Sequence, residues 1–293
     1  MLTERPQPGR LVVALFTDIH SGNALGLLSP DTRLPNPSTG DYEPVTLNPA
    51  QRMLWEWFAG DVQGVIDFAA GDPLMVVHVG DPTQGTRFAS ELVSTRIADH
   101  ILIAVENFQP WYGYAGLRAV RLIVGTGVHE FNEATGSIMV GEQLRRMHPH
   151  IGVRVLYHHE LDAGGVTFDL SHHGPGPGGR NWLRGNILRY YVRDIMTTRL
   201  KAGQRPPDVV ARGHYHTYTS EIVTDYTPDR IYETRADILP SYCWINEHGR
   251  KATKSESYIG FGMKAYEIVG GQLTTTRLFY RAVDMRSRER WNG

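Results

Sequence analysis

The sequence predicts an α/β fold: a mainly parallel sheet interleaved with helices, joined by a second, largely antiparallel sheet toward the C-terminus. Three observations carry this. Apolar runs of strand length recur, at Leu11–Phe16, Leu74–Val79 and Val120–Val124, with helix-period stretches between them. Most of these runs stop abruptly in Asp or His, as expected of strands that present their ends to a site. After about residue 217 the helical periodicity gives way to short strand-like segments.

The first run, Leu11-Val-Val-Ala-Leu-Phe-Thr, ends in Asp18-Ile-His20. On a strand, residues i and i+2 share a face, so this carboxylate and imidazole can converge on one object, and a divalent cation suits that pair. Residues 21–43 are rich in Gly, Pro, Asn and Ser and read as a long irregular insertion beside that tip. Asn48-Pro49 supplies a cap and a first-turn proline for an amphipathic helix over residues 49–70, which Asp72-Pro73 stops. The Trp55 and Trp57 pair is read as packing of that helix. A second strand, Leu74–Val79, ends in Gly80-Asp81, and a helix is expected over residues 86–108. The third strand closes in Gly125-Thr-Gly-Val128-His129-Glu130, and residues 136–147 read as the next helix.

Beyond residue 153 the texture changes. Val153–Tyr157 and Val166–Leu170 flank Asp162-Ala-Gly-Gly165, which predicts a hairpin, and the later strand ends in Ser171-His172-His173. Residues 182–201 have helical spacing. Val209-Val-Ala-Arg-Gly213 then leads into His214-Tyr-His216. Strands are expected near 218–224, 231–237, 261–269 and 273–282, together forming the second sheet.

The 293 residues carry 41% hydrophobic and 21% charged side chains, which fits one globular domain with a substantial core and excludes disordered or fibrous classes. One cysteine, Cys243, leaves neither a disulfide framework nor a thiolate metal site. The net charge of -1 does not advertise a polyanion partner for the molecule as a whole. No signal pattern and no apolar run of about 18 residues is present, so a cytoplasmic protein without a membrane partner is expected.

Asp18-x-His20, Gly80-Asp81, Gly127-x-His129-Glu130, His172 and Gly213-His214-x-His216, in this order and each at a strand end, resemble the calcineurin-like metallophosphoesterases. The resemblance covers Asp18 to His216, about two thirds of the chain. It implies a four-layer αββα sandwich of two mixed β-sheets flanked by helices, spanning residues 1–293 as one domain, with strands from about 217 onward completing the second sheet. It also implies two divalent metal ions. Asp18, His20 and His216 would bind the first and His214 the second, Asp81 would bridge both, and His172 would be a further ligand. Leu170-Ser-His172 follows its strand as the family's ligand does, so His172 is preferred to His173. His129 matches the family's catalytic histidine, which contacts phosphate or protonates the leaving oxygen.

Carboxylate and imidazole ligands without thiolate suit Mn, Fe, Ni or Zn better than Mg or Ca. The implied reaction is hydrolysis of a phosphate monoester or diester by metal-activated water. One departure stands out: the family's third motif carries Asn before the catalytic histidine, and here that position is Val128, which has no ligand atom on its side chain. A weakened second site, single-metal operation or loss of activity would follow, unless Thr126, Asn132, a main-chain carbonyl or water supplies the oxygen. A second departure is Ser21, inserted between His20 and the Gly22-Asn23 pair.

The segment Gly174–Gly179 holds four glycines and two prolines and leads to Arg180, a candidate substrate-binding residue that can grip phosphate bidentately. This loop and the C-terminal strands resemble phosphoesterases carried by bacteriophages, which points to nuclease or nucleotide phosphodiesterase chemistry and to nucleic acid or nucleotide as partner. The arginines at 184, 189, 193 and 199 read as a solvated helix face, and His78, His100, His148, His150, His158, His159 and His248 as structural histidines. A different class of function fits the same fold: a non-catalytic metal-binding or assembly protein. A β-lactamase-type hydrolase is discounted for want of a clustered His-x-His-x-Asp-His segment.

Overall fold

The computed structural model describes residues 9–178, 183–245 and 257–291. In chain order they form β1 (Arg10–Phe16), β2 (Arg33–Pro35), β3 (Tyr42–Pro44), α1 (Pro49–Ala69), β4 (Leu74–Val79), α2 (Ile97–Tyr112), β5 (Leu117–Ile123) and α3 (Thr135–Met147). There follow β6 (Gly152–Leu156), β7 (His159–Ala163), β8 (Val166–Ser171), α4 (Asn186–Lys201), β9 (Val209–Arg212), β10 (Thr219–Thr227), β11 (Arg230–Ile238), β12 (Tyr258–Val269) and β13 (Gln272–Asp284). Among the described residues, no helix is long and apolar enough to cross a membrane.

Two mixed sheets pack face to face. One has the order β13-β12-β1-β4-β5-β6, the other β10-β11-β9-β8-β7. In the first, β1, β4, β5 and β6 pair in parallel, and β12 runs antiparallel to β1. Three apolar clusters separate four layers. Alternate residues of β1 divide between two of them: Val12, Ala14 and Phe16 face α1 and α2, while Val13 and Leu15 meet Phe168, Leu170 and Val209 of the other sheet. On the far side, Leu188, Val192 and Met196 of α4 cover Val210, Ala236 and Ile238. The architecture is therefore the expected αββα sandwich.

Local sequence explains the elements that aim the site. Asn48 accepts from the Gln51 N–H while the Gln51 side chain accepts from the Asn48 N–H, a reciprocal cap that fixes the start of α1. Leu54, Phe58, Val62 and Val65 then bury one face against the sheet, and Phe58 alone contributes about 1.5–3 kcal/mol by leaving water. The insertion of residues 21–43 carries the small β2–β3 hairpin, held to the base of α2 by Arg96 donating to the Pro35 carbonyl.

Three expectations are corrected. The C-terminal strands do not all complete the second sheet: β10 and β11 do, whereas β12 and β13 cross over to extend the first. The hairpin at Gly164-Gly165 joins β7, not residues 153–157, to β8, and β6 belongs to the other sheet. Finally, α2 begins at Ile97 rather than near 86, because residues 86–96 form a loop with one 3-10 turn at Ala89–Glu91. Ser94 and Arg96 both donate to Asp99 at the first turn, which pins the helix start there.

Candidate metal centre

The tips of β1, β4, β5, β8 and β9 converge at one end of the sandwich. The loops beyond them bring together Asp18, His20, Asp81, His129, His172, His214 and His216, the seven residues expected to meet there. Asp18, His20 and His216 form one group whose candidate ligand atoms all lie within 4.8 Å of one another, and Asp81 forms such groups with His20 and His129 and with Asp18 and His172. A further group, His172, His173 and His214, includes one residue that had been only an alternative. Arg180, the expected substrate-binding residue, lies outside the described residues.

Four of these side chains, Asp18, Asp81, His172 and His129, have one heteroatom tied to the scaffold. Asp18 Oδ2 accepts from Thr17 Oγ1 at 2.6 Å and from the His214 N–H at 2.9 Å, while Oδ1 is buried with no hydrogen-bond partner. Asp81 Oδ1 accepts from the Thr126 N–H at 2.6 Å, and Oδ2 faces His172. His172 Nδ1 lies 2.7 Å from the Val79 carbonyl, which can only accept, so Nδ1 carries the hydrogen. Its Nε2 is left 3.1 Å from Asp81 Oδ2 without an aligned hydrogen bond. His129 is fixed in the same way, Nδ1–H donating to the Gln84 carbonyl at 2.7 Å and leaving Nε2 unassigned. Metal-binding imidazoles are typically oriented by such outer contacts.

Orphaned polar atoms in a buried place are costly, at about 1–3 kcal/mol each. Here Asp18 Oδ1, His20 Nδ1 and His172 Nε2 are all buried and unpartnered. His20 Nε2 and His216 Nε2 lie 3.1 Å apart, and Asp18 Oδ1 is 3.6 Å from the former and 3.2 Å from the latter. The donor set therefore fits a divalent cation: carboxylate oxygens and imidazole nitrogens converge, and Asp18 Oδ1 and His172 Nε2 among them have no hydrogen-bond partner from the chain. These buried Asp and His groups could hold a metal ion.

The electrostatics agree. Burial opposes charge on His172, but the Asp81 and Asp18 carboxylates outweigh it and raise its pKa to about 10. Burial likewise opposes ionisation of Asp18 and Asp81, yet the surrounding imidazoles hold both carboxyls below the usual carboxylate range. Burial, reinforced by His129, pushes His20 down to about 4, so it is neutral and able to donate a lone pair. The cluster thus favours positive charge at its centre, and a cation meets that demand as well as a proton does.

The backbone bends sharply at these positions. Asp18, His20, Asp81, His214 and His216 all have positive φ, between 43° and 76°. Asp and His tolerate this left-handed region better than most residues, and such strain clusters at functional sites. Gly80 precedes Asp81 at φ +96°, and a Cβ there would sit 2.2 Å from His172 Nδ1. Glu130, fully buried, accepts from the N–H groups of Gly125 and Ser137 and from Ser137 Oγ, clamping the loop that carries Thr126 and His129 to the start of α3.

Val128 leaves a gap in the ligand set, and the candidate replacements separate by position. The Val128 carbonyl packs against Gly85, where a Cβ would lie 2.0 Å from it. Asn132 is exposed and its N–H closes a turn onto Gly127. Thr126 Oγ1, by contrast, lies 3.3 Å from His214 Nδ1 and 3.4 Å from His173 Nε2. His78, read from the sequence as a structural histidine, is fully buried between Phe16 and Phe108 and belongs to none of the candidate metal groups. Compared with known proteins, the chain matches no protein-family model and no curated protein.

Proposed function

We propose that this protein is a metal-dependent phosphoesterase of the calcineurin-like kind, hydrolysing a phosphate monoester or diester with water as the nucleophile. The observation that carries the reading is the position of Asp81. It shares one group of converging ligand atoms with His20 and His129 and another with Asp18 and His172, as a carboxylate serving two cations must. Asp18, His20 and His216 would hold one ion, His172 and His214 the other. When bound, two such ions acidify a water and neutralise phosphate oxygens.

The chain's own residues account for the rest. Thr17 and the His214 N–H keep Asp18 turned inward, and the Thr126 N–H does the same for Asp81. His129 is half-buried beside His20, with ring centroids 4.5 Å apart. Because its Nδ1–H is committed to the Gln84 carbonyl, Nε2 is the atom that would carry a proton to the departing oxygen. Imidazole suits this work because it exchanges protons near neutral pH.

Manganese, iron, nickel or zinc fits these ligands, and nucleic acid or nucleotide substrates are the favoured branch. The test is turnover of a chromogenic phosphodiester with added Mn2+ by the wild type and by Asp81→Asn. Metal-stimulated hydrolysis that falls by at least about 10²-fold in the variant is expected. Equal rates, or none in the wild type, would reject hydrolysis and leave a metal-binding protein. Single-stranded DNA against nucleoside monophosphates then separates a nuclease from a small-molecule phosphatase.

A further inference from the structure

The two halves of the centre differ in donor chemistry. On one side stand a carboxylate and two imidazoles, Asp18, His20 and His216. On the other, one nitrogen from each of His172, His173 and His214 lies within 4.8 Å of the others, with no carboxylate except Asp81 at the border. The three rings are packed together: centroids of His172 and His173 are 4.9 Å apart, of His173 and His214 4.8 Å, and of His172 and His214 5.2 Å. Thr126 Oγ1 makes long contacts with two of them, 3.3 Å to His214 Nδ1 and 3.4 Å to His173 Nε2, longer than the usual range of about 2.7–3.2 Å for such hydrogen bonds.

Building on the reading of a two-ion centre, we infer that His173 is the third imidazole ligand of the second ion. It supplies the donor that Val128 cannot, and it makes this half a three-histidine site selective for a borderline cation of the zinc type. Three observations support the assignment. His172 Nε2 is buried without a hydrogen-bond partner, 3.1 Å from Asp81 Oδ2 at the border of this half. His173 is exposed to solvent on its outer side, so a metal ion can enter past it. Val128 offers no ligand atom on its side chain at the position where the resemblance implies an amide oxygen. Three neutral nitrogens form a softer set than one carboxylate and two nitrogens, and three imidazoles with an open fourth position suit zinc well. Manganese, which prefers oxygen, belongs with Asp18. The centre is then chemically unequal, with the Asp18 half accepting harder cations than the His173 half.

The experiment is a titration of chelator-stripped full-length protein with Zn2+ alone and with Mn2+ alone, followed by calorimetry and by elemental analysis after desalting. Wild type, His173→Ala and Asp18→Asn are compared. Wild type should retain two zinc ions per chain, with one site favouring zinc over manganese far more than the other. His173→Ala should keep one site unchanged and weaken the other by at least the 10–100-fold known for lost outer contacts, with its zinc preference reduced. Asp18→Asn should weaken the opposite site. The metal-free melting temperature of His173→Ala should match the wild type, since the residue is exposed. Two zinc sites of unaltered affinity in His173→Ala would overturn the assignment, as would equal weakening of both. Failure of the wild type to bind any ion would overturn it together with the metal centre. Binding of two ions without phosphodiester turnover would reject only the hydrolysis, leaving the ligand assignment standing.

Discussion

Two buried polar clusters lie within the same sandwich and are built in opposite ways. Between the sheets, away from the strand tips, Lys264 on β12 donates to Asp237 on β11 at 2.5 Å and to Tyr218 and Ser220, while Tyr266 donates to the second Asp237 oxygen at 2.7 Å. Lys264 is 2% exposed and Asp237 not at all, and every charged atom there has a partner from the chain. At the strand tips Asp18 Oδ1, His20 Nδ1 and His172 Nε2 have none. A self-satisfied buried charge is scaffold. A converging set with lone pairs left over is complete only with something brought from outside.

The sharpest way to break this contrast is Lys264→Met. It leaves Asp237 buried without its cation and should cost about 3–5 kcal/mol in urea unfolding. The folded fraction should still take up as much metal as wild type, because the strand-tip residues are untouched. A smaller effect is expected from the ions themselves. Divalent metal at a hundredfold excess over its dissociation constant should stabilise the protein by about 2.7 kcal/mol, and chelator should remove this. The same chelator should leave the melting temperature of Asp81→Asn nearly unchanged.

The smallest effect concerns His78, whose two ring nitrogens are both buried and unpartnered. Burial drives its pKa down to about 3 from an ordinary 6.5. The unfolded chain therefore binds this proton more readily, and the associated stability is fully present above about pH 6.5 and lost as pH falls toward 3. His78→Leu, which swaps two unsatisfied nitrogens for an apolar side chain, should gain about 1 kcal/mol at neutral pH. Its unfolding free energy should also fall less steeply with acid between about pH 6.5 and 4. Equal slopes in the two proteins would show that His78 does not titrate on unfolding.

The strand tips were legible because their grammar is local. Leu11–Phe16 is apolar throughout and Leu74–Val79 is apolar but for His78, since both faces are covered, and each is followed two residues on by an aspartate that has no place in a core. What stayed hidden is mostly tertiary. The sequence of β12 gives no instruction about which sheet it joins, although its near-continuous burial suits a strand flanked on both sides. The β7 segment, His159-Glu-Leu-Asp-Ala, is too polar to announce a strand and takes its identity from pairing with β8. In the site, His172 is preferred to His173 only on its resemblance to the family's ligand, because adjacent histidines differ only in where the chain turns. The structure buries the first and leaves the second exposed at the rim, with one nitrogen of each within 4.8 Å of the other.

The left-handed corners at Asp18, His20, Asp81, His214 and His216 carry a further consequence. At each, glycine would relieve on the order of 1 kcal/mol of steric conflict, since only glycine visits that region freely. Selection for heat resistance alone would accordingly push this chain toward glycine at five positions and dismantle the centre while improving the fold. Asp and His stand at every one of these bends, in groups that could hold a metal ion, so robustness there gives way to the side chain.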